Sequence, residues 1–345
     1  MYKLPYNKLN PIVYDNDSHE DVYTDEYLMA LVSSGDIELK GMITTISYMD
    51  AWQKPEIQFE SLVNGREELV GIARRSGMKN IPDSVRGPSV ALKKPLSGRI
   101  EDTIPIDTKG SRLIVQEARL ASPEKPLVIV MGGQATAVAD AYLLDNSISK
   151  NIIVAWIVGE GVSDLNGYNG WVDPWADYIV LQRLKLVQFP ASYAVPFVPK
   201  ERLFELPDCE LRQWLIDKQL PHVKFYGERD DDSQPVISTL NPDYVIETKT
   251  VSFDCWIEAW DGERLVPSFK EDIFGNAKVA TCANKEIATD EWWRAMKNPK
   301  VWVNVNWALP QDQRPFYAVP FPIGTIERIE AEDFDHGGEG IAYNK

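Results

Sequence analysis

The stretch PLVIVMGGQATAVADAYLLDNSISKNIIVAWIV, residues 126–158, decides the fold class. It opens on an apolar run at 126–131, continues through a Gly-Gly pair and a helix-like segment at 135–144, and closes on a second apolar run at 152–158. Short apolar runs bounded by turn residues are typical of strands that are buried on both faces. A strand, a helix and a second strand in this order predict a parallel sheet with helices packed on it.

The same alternation continues on the N-terminal side of this stretch. It predicts strands at 12–14 and 37–46, and helices at 25–32, 56–78 and 110–122. Gly65 is expected to interrupt the second of these helices, and the residues 79–107, rich in Pro, Gly and Ser, are expected to form a long loop. We therefore predict an α/β fold with an open, mostly parallel sheet and helices on both faces.

The chain changes character after about residue 245, where tryptophans become frequent. We expect a β-rich extension that packs on the sheet. Large aromatic side chains usually fill a core, and we interpret these tryptophans in that way rather than as a ligand platform. They are Trp256, Trp260, Trp292, Trp293, Trp302 and Trp307.

Composition limits the class of protein and its partners. Of 345 residues, 44% are apolar and 26% charged, which is typical of a globular protein. The 52 acidic against 36 basic residues give a formal charge of −16, so nucleic acid is an unfavourable partner. The apolar runs are too short to span a membrane. Three scattered cysteines predict neither a disulfide scaffold nor a zinc site.

The N-terminus lacks the apolar region of a signal peptide. We expect a cytoplasmic protein if this N-terminus is native and an exported one if a leader has been removed. The expected partner is a small nucleoside or sugar. A homo-oligomer is compatible with the sequence.

Acidic residues crowd the segment PIVYDNDSHEDVYTDEYLMALV, residues 11–32. Carboxylates held close together repel one another unless a cation neutralises them, and hard cations prefer such oxygen ligands. The alternative is a solvated acidic loop in which Asp25 and Glu26 only favour the N-terminal end of a helix. The spacing does not fit an EF-hand loop. The acids are Asp15, Asp17, Glu20, Asp21, Asp25 and Glu26.

Four segments together resemble the nucleoside hydrolases of the inosine–uridine preferring type, over roughly residues 10–245. The first is the acidic segment, which is similar to the family's Asp-x-Asp-Pro-Gly-x-Asp-Asp motif but is four residues longer and lacks the Pro-Gly. The others are GSRLIVQEARLASPEKPLVIVMGGQAT (110–136), NGYNGWVDPWADYIV (166–180) and ERDDDSQPVISTLNPDYV (228–245). They follow one another in the family's order and at similar spacing.

The resemblance implies calcium-dependent hydrolysis of the N-glycosidic bond of a ribonucleoside-like substrate. It implies that Asp17 is the general base that activates a calcium-bound water, and that Asp15 orients Asp17 or that water. Asp25 and Asn169 would bind the sugar hydroxyls. The Ca²⁺ ligands implied in this way are Asp17, Glu26, the backbone carbonyl of Thr136, and Asp232.

An alignment without an insertion would place Asp21 and Val22 where we place Asp25 and Glu26. A valine side chain cannot bind calcium, so we favour the latter pair.

The chain also departs from the family's pattern. Gly167 replaces a glutamate, the asparagine expected shortly after 43–45 is missing, and Asp231 stands where purine-preferring members have a histidine. These changes place leaving-group activation and recognition of the 5′-hydroxyl in doubt.

The tail at 326–345 resembles the first strands of a carbohydrate-binding β-sandwich module, while 1–325 would form the hydrolase-like domain. Two other functions therefore stay open. One is a non-catalytic sugar- or nucleoside-binding domain of a multi-domain carbohydrate-processing protein. The other is a glycosidase that acts on a non-nucleoside sugar.

Overall fold

The fold is known from a computed structural model of the chain. The structure describes residues 4–17, 23–46, 55–159, 168–170, 172–190, 194–254, 256–259, 263–266 and 269–302. The predicted tail module at 326–345 lies outside these ranges, and so do Asp21, Val22 and Gly167.

Strands and helices alternate through the first half of the chain, as predicted. The strands are β1 (Pro11–Asn16), β2 (Glu38–Thr44), β3 (Ser84–Arg86), β4 (Leu127–Met131) and β5 (Ile152–Ile157). The helices are α1 (Thr24–Ser34), α2 (Pro55–Arg75), α3 (Lys109–Leu120) and α4 (Thr136–Leu144). Short 3₁₀ turns lie at Ile100–Asp102, Asn146–Asn151 and Tyr168–Gly170.

The second half adds further helices and a group of antiparallel strands. The helices are α5 (Pro174–Arg183), α6 (Lys200–Leu203), α7 (Glu210–Tyr226), α8 (Gln234–Leu240) and α9 (Lys285–Met296). The strands are β6 (Leu186–Phe189), β7 (Val245–Phe253), β8 (Trp256–Ala259), β9 (Glu263–Val266), β10 (Phe269–Glu271) and β11 (Ala277–Ala283).

Nine of these strands form one sheet in the order β10-β7-β11-β6-β5-β4-β1-β2-β3. Pairing is parallel from β3 through to β11, and it is antiparallel only where β7 joins β11 and β10. The predicted α/β class with a mostly parallel sheet is therefore confirmed. Strands β8 and β9 form a separate antiparallel pair.

Each face of the sheet carries its own apolar core. Side chains alternate along β1 and β4, so that Tyr14 and Val130 enter one core while Val13 and Ile129 enter the other. The first core includes residues of α1, α2, α8 and α9, and the second includes residues of α3, α4 and α5. Helices on both sides explain why β4 is buried along its whole length and reads as an unbroken apolar run.

Two predictions about local structure were wrong. Helix α2 continues through Gly65 from Pro55 to Arg75. Glycine in a helix interior costs only about 1 kcal/mol relative to alanine, which burial of the apolar face of a long helix outweighs. The predicted loop at 79–107 contains the edge strand β3, because its residues pair in parallel with Met42–Thr44 of β2.

The region after 245 is rich in strands, as predicted, but β7, β10 and β11 extend the central sheet instead of packing on its face. Trp292, Trp293 and Trp302 are buried in the core, which confirms the core interpretation for these three. No helix within the described ranges has the length and apolarity needed to span a lipid bilayer.

Candidate active site

The order of the strands identifies one edge of the sheet as the place for a ligand. Strand β1 lies between β2 and β4, and the chain builds outward in one direction through β2 and β3 and in the other through β4, β5 and β6. Such a reversal leaves a crevice beyond the carboxyl ends of the two central strands, where open α/β sheets bind their ligands. Asp15, near the end of β1, is level with Met131, the last residue of β4.

Carboxylates from distant parts of the chain meet in this crevice, and we call them the acidic cluster: Asp15, Asp17, Asp25, Glu26 and Asp232. All five are buried, with Asp17 at 3% and Asp232 at 6% exposure. The amide Nδ2 of Asn16 donates a hydrogen bond of 3.0 Å to Oδ2 of Asp232, so Asp232 reaches the end of β1 across 216 residues of sequence.

The Gly-Gly pair that follows β4 allows Asp17 and Asp232 to lie directly against the turn. A Cβ atom on Gly133 would lie 2.9 Å from the backbone nitrogen of Asp17 and 3.0 Å from its Cβ. A Cβ atom on Gly132 would lie 2.5 Å from Oδ2 of Asp232. Distances this short are not tolerated, so the absence of side chains at the turn shapes the floor of the crevice.

Asp15 and its neighbour Tyr14 show how little solvent reaches this cluster. Oδ1 of Asp15 accepts a hydrogen bond from the hydroxyl of Thr45, which follows β2. Burial raises the pKa of Asp15 to about 7, although Thr45 and Arg66 act in the opposite direction. Burial, together with the charges of Asp25 and Asp232, also holds the pKa of Tyr14 well above its usual value. Low solvation strengthens every charge interaction in the crevice.

Asp25 pairs with an arginine that the sequence did not predict. Nε of Arg66, in α2, lies 2.8 Å from Oδ2 of Asp25, and the exposure of the two side chains is 0% and 1%. Nη1 of the same guanidinium donates to the carbonyl of Ile43 at 2.9 Å and to that of Asn16 at 3.2 Å. Asp25, the residue expected to bind the sugar, is therefore held in an ion pair at the ends of β1 and β2.

Glu26 is engaged with its own helix and with a distant tryptophan. Its Oε2 accepts a hydrogen bond of 3.0 Å from the backbone nitrogen of Tyr23, and its Oε1 accepts one of 3.1 Å from the indole of Trp214. The first contact is the return bond of a helix N-terminus, which the third helical residue typically makes. Burial, followed by the charge of Asp25, raises the pKa of Glu26 to about 8.

Thr136 and Asn169 both lie beside the Gly-Gly turn. Thr136 is the first residue of α4, so its carbonyl points along the helix axis toward the C-terminal end, as helical carbonyls do. Its hydroxyl donates to Oδ2 of Asp173 at 2.8 Å. Nδ2 of Asn169 donates to the carbonyls of Gly132, at 2.6 Å, and Ile157, at 2.8 Å. Asn169 thus borders the floor of the crevice from the β5 side.

Asp173 has the structural role that its sequence context predicts. Its Oδ1 accepts from the backbone nitrogen of Ala176 at 3.0 Å, and Pro174 occupies the first turn of α5. This is a helix N-cap followed by proline. Asp173 therefore supports the structure around the crevice.

Two of the predicted calcium ligands, Glu26 and the Thr136 carbonyl, are directed at other parts of the protein in this arrangement. Ca²⁺ takes about six to eight oxygen ligands. Glu26 directs both oxygens to Tyr23 and Trp214, and the Thr136 carbonyl points along its helix. Within the described ranges, no group of three or more His, Cys, Asp or Glu side chains is placed to hold a metal ion. Calcium dependence stays a prediction of the sequence resemblance.

Several solved structures are similar to this chain in fold. An inosine-guanosine nucleoside hydrolase superposes with a TM-score of 0.62 at 15% identity, over 84% of this chain and 98% of that one. A purine-preferring ribonucleoside hydrolase from Gardnerella vaginalis gives 0.59 at 14% identity, over 83% and 98%. A plant nucleoside hydrolase gives 0.58 at 16% identity, over 84% and 99%.

The chain has the nucleoside hydrolase fold. No protein-family profile and no curated protein sequence matches it. The resemblance found in the sequence is therefore confirmed at the level of the fold, by structures that share few residues with this chain.

Within this nucleoside hydrolase fold, sequence reasoning missed Asn16, Arg66 and Trp214. A signal existed for Arg66 alone. It follows Val63 and precedes Val70 on the apolar face of α2, at helical spacing, where a charged residue is unexpected unless it has a buried partner. Asn16 and Trp214 carry no comparable pattern, because a polar residue at a strand end and an indole on a helix are both common.

The Gly-Gly turn leads to a prediction for Gly132. The G132A variant should lose activity about 100-fold, because Asp232 must rotate away from a new methyl group and a displacement of about 1 Å can cost that much. The measurement is the release of base by G132A, the activity proposed in the next subsection. The matched control is G71A in α2, where the added Cβ would meet only the end of the Arg75 side chain, at 3.1 Å. Full activity in G132A would show that this floor does not position Asp232.

Proposed function

We propose that the chain hydrolyses the N-glycosidic bond of a ribonucleoside-like substrate, with Asp17 as the base that activates water. The observation that carries this proposal is the placement of Asp17. Its carboxylate is buried at the carboxyl end of β1, directly over Gly133 and in the same crevice as Asp232. The names of the similar structures, which are nucleoside hydrolases, support the choice of reaction.

In the proposed reaction Asp17 takes a proton from a water molecule as the water oxygen attacks the anomeric carbon. The bond from that carbon to the base nitrogen breaks, and its electron pair leaves with the base. Positive charge develops on the sugar ring before attack is complete. Buried carboxylates near the ring stabilise that charge strongly because water does not screen them.

Other residues of the crevice would position the substrate or the attacking water. Asp15, fixed by the Thr45 hydroxyl, is close in sequence to Asp17 and would orient it or the attacking water. Asp25, held by Arg66, and Asn169, held by two backbone carbonyls, would bind the sugar hydroxyls from opposite sides. Calcium, if it binds, would stabilise negative charge on the water, and the residues as arranged do not require a step through it.

Leaving-group activation would differ from that of purine-preferring hydrolases. Asp231, at the position of their histidine, pairs with Nε of Arg229 at 2.9 Å. A carboxylate held in an ion pair is a weak proton donor. A substrate whose base leaves without strong protonation by the enzyme fits this site better than one that needs it.

A product assay on the purified chain tests the proposal. Inosine, guanosine, uridine and cytidine would be incubated with it, alongside aryl glycosides of several sugars, each with and without a chelator. Free base and free sugar in equal amounts from any nucleoside support the proposal. Cleavage of aryl glycosides alone would favour a glycosidase, and saturable binding without any cleavage would favour a sugar-binding domain. Loss of activity with chelator would support the calcium prediction.

A further inference from the structure

Arg66 lies where a charged side chain is costly. It is fully buried on the inner face of α2, and removing a guanidinium from water costs several kcal/mol unless partners compensate it. Arginine tolerates such a position better than lysine because its planar fork can bond several acceptors at once. A buried arginine in a helix that packs on the sheet therefore requires an explanation from its surroundings.

Several partners of Arg66 belong to the crevice. Besides Asp25 and the carbonyls of Asn16 and Ile43, Nη1 contacts the hydroxyl of Thr44 at 2.9 Å. The guanidinium thus joins the ends of β1 and β2 to the first turn of α1. The guanidinium carbon also lies 5.7 Å from the centre of the Tyr14 ring, where the aromatic face can stabilise its positive charge.

The charge of Arg66 acts beyond its ion pair. The negative charges of Asp25 and Asp15 both stabilise the protonated guanidinium, and Arg66 in turn favours the ionised form of Asp15. One fixed positive charge therefore offsets two carboxylates of the cluster, Asp25 and Asp15. This is the electrostatic task that the sequence resemblance assigned to a divalent ion.

We propose that Arg66 is the resident cation of the acidic cluster, a fixed positive charge that keeps the cluster folded without a divalent ion and lowers its affinity for one. The inference goes beyond the proposed reaction, because it concerns the charge balance of the crevice and holds whether or not the site is catalytic. It also explains why Asp25 has a buried protein partner. Arg66 is a positioning residue, since it reaches a substrate only through Asp25.

Calcium titration of charge variants tests this inference. Removing the guanidinium in Arg66→Met makes the cluster more negative by one charge, so Ca²⁺ should bind at least about tenfold more tightly than to the wild type. The double variant R66M/D25N loses one charge of each sign. Its affinity for Ca²⁺ should therefore return to within about threefold of that of the wild type. Isothermal calorimetry with calcium chloride measures all three proteins and needs no turnover.

A purely structural role for Arg66 predicts that R66M gains no affinity for calcium. If Arg66 only held the strand ends, R66M would displace the carboxylates and calcium would bind no more tightly than to the wild type, which would overturn the inference. If R66M does not fold alone, it should fold when refolded with calcium chloride and not with sodium chloride at equal ionic strength. Failure to fold in both salts would also overturn it. Because hydrolysis is not measured, the result is separate from the test of the proposed function.

Discussion

Replacing Asp17 by asparagine should lower kcat/KM for base release by between about 10² and 10⁴-fold, the range that a general base contributes. Asparagine keeps the size and shape of the side chain, but its amide cannot accept a proton from water at neutral pH. Because Asp17 is expected to act on the reacting water and not on the resting substrate, the loss should appear mainly in kcat. Steady-state kinetics on the best nucleoside substrate measures it.

The control for D17N is the same change at Asp243, which is exposed in the turn before β7. D243N should keep wild-type kinetics. The thermal midpoint of D17N should equal or exceed that of the wild type, because the variant removes one buried negative charge from the acidic cluster. A folded D17N enzyme with kcat within about fivefold of the wild type would remove Asp17 from the role of base.

Replacing Trp292 by alanine should lower the free energy of unfolding by about 3–5 kcal/mol, as other large-to-small changes in cores do. Trp292 is fully buried in α9, with ring centroids 4.8 Å from Trp293 and 5.9 Å from Tyr23. Its indole donates at 3.0 Å to Oδ2 of Asp230. Chemical denaturation of the wild type and the variant gives the difference.

Asp230 connects this core position to the crevice, because its Oδ1 accepts from the backbone nitrogen of Asp232 at 3.3 Å. The control W292F keeps an aromatic ring but loses the indole donor and part of the ring volume. It should cost at least about 1–3 kcal/mol, the penalty for leaving a buried acceptor unpaired. If W292A were destabilised by less than W292F, α9 would not be part of the main core.

Much of the site could be predicted because the relevant signals are local. Asp15 lies near the end of an apolar strand and Asp17 follows that strand directly, while Gly132 and Gly133 follow the neighbouring strand β4 at the same edge. Parallel strands bring such segments together whatever the details of packing. Asp232 was expected there from the resemblance alone, and its contact with Asn16 agrees with that expectation.

The sequence by itself determined the alternation of strands and helices, the buried central strands and the acids at their carboxyl ends, because hydrophobic period and turn residues act over a few positions. Only the tertiary structure decided the partners of those acids. Arg66 reaches Asp25 from 41 residues away and Trp214 reaches Glu26 from 188. Side-chain direction inside a crowded crevice depends on the charges of all its neighbours at once, so a pattern along the chain cannot specify it.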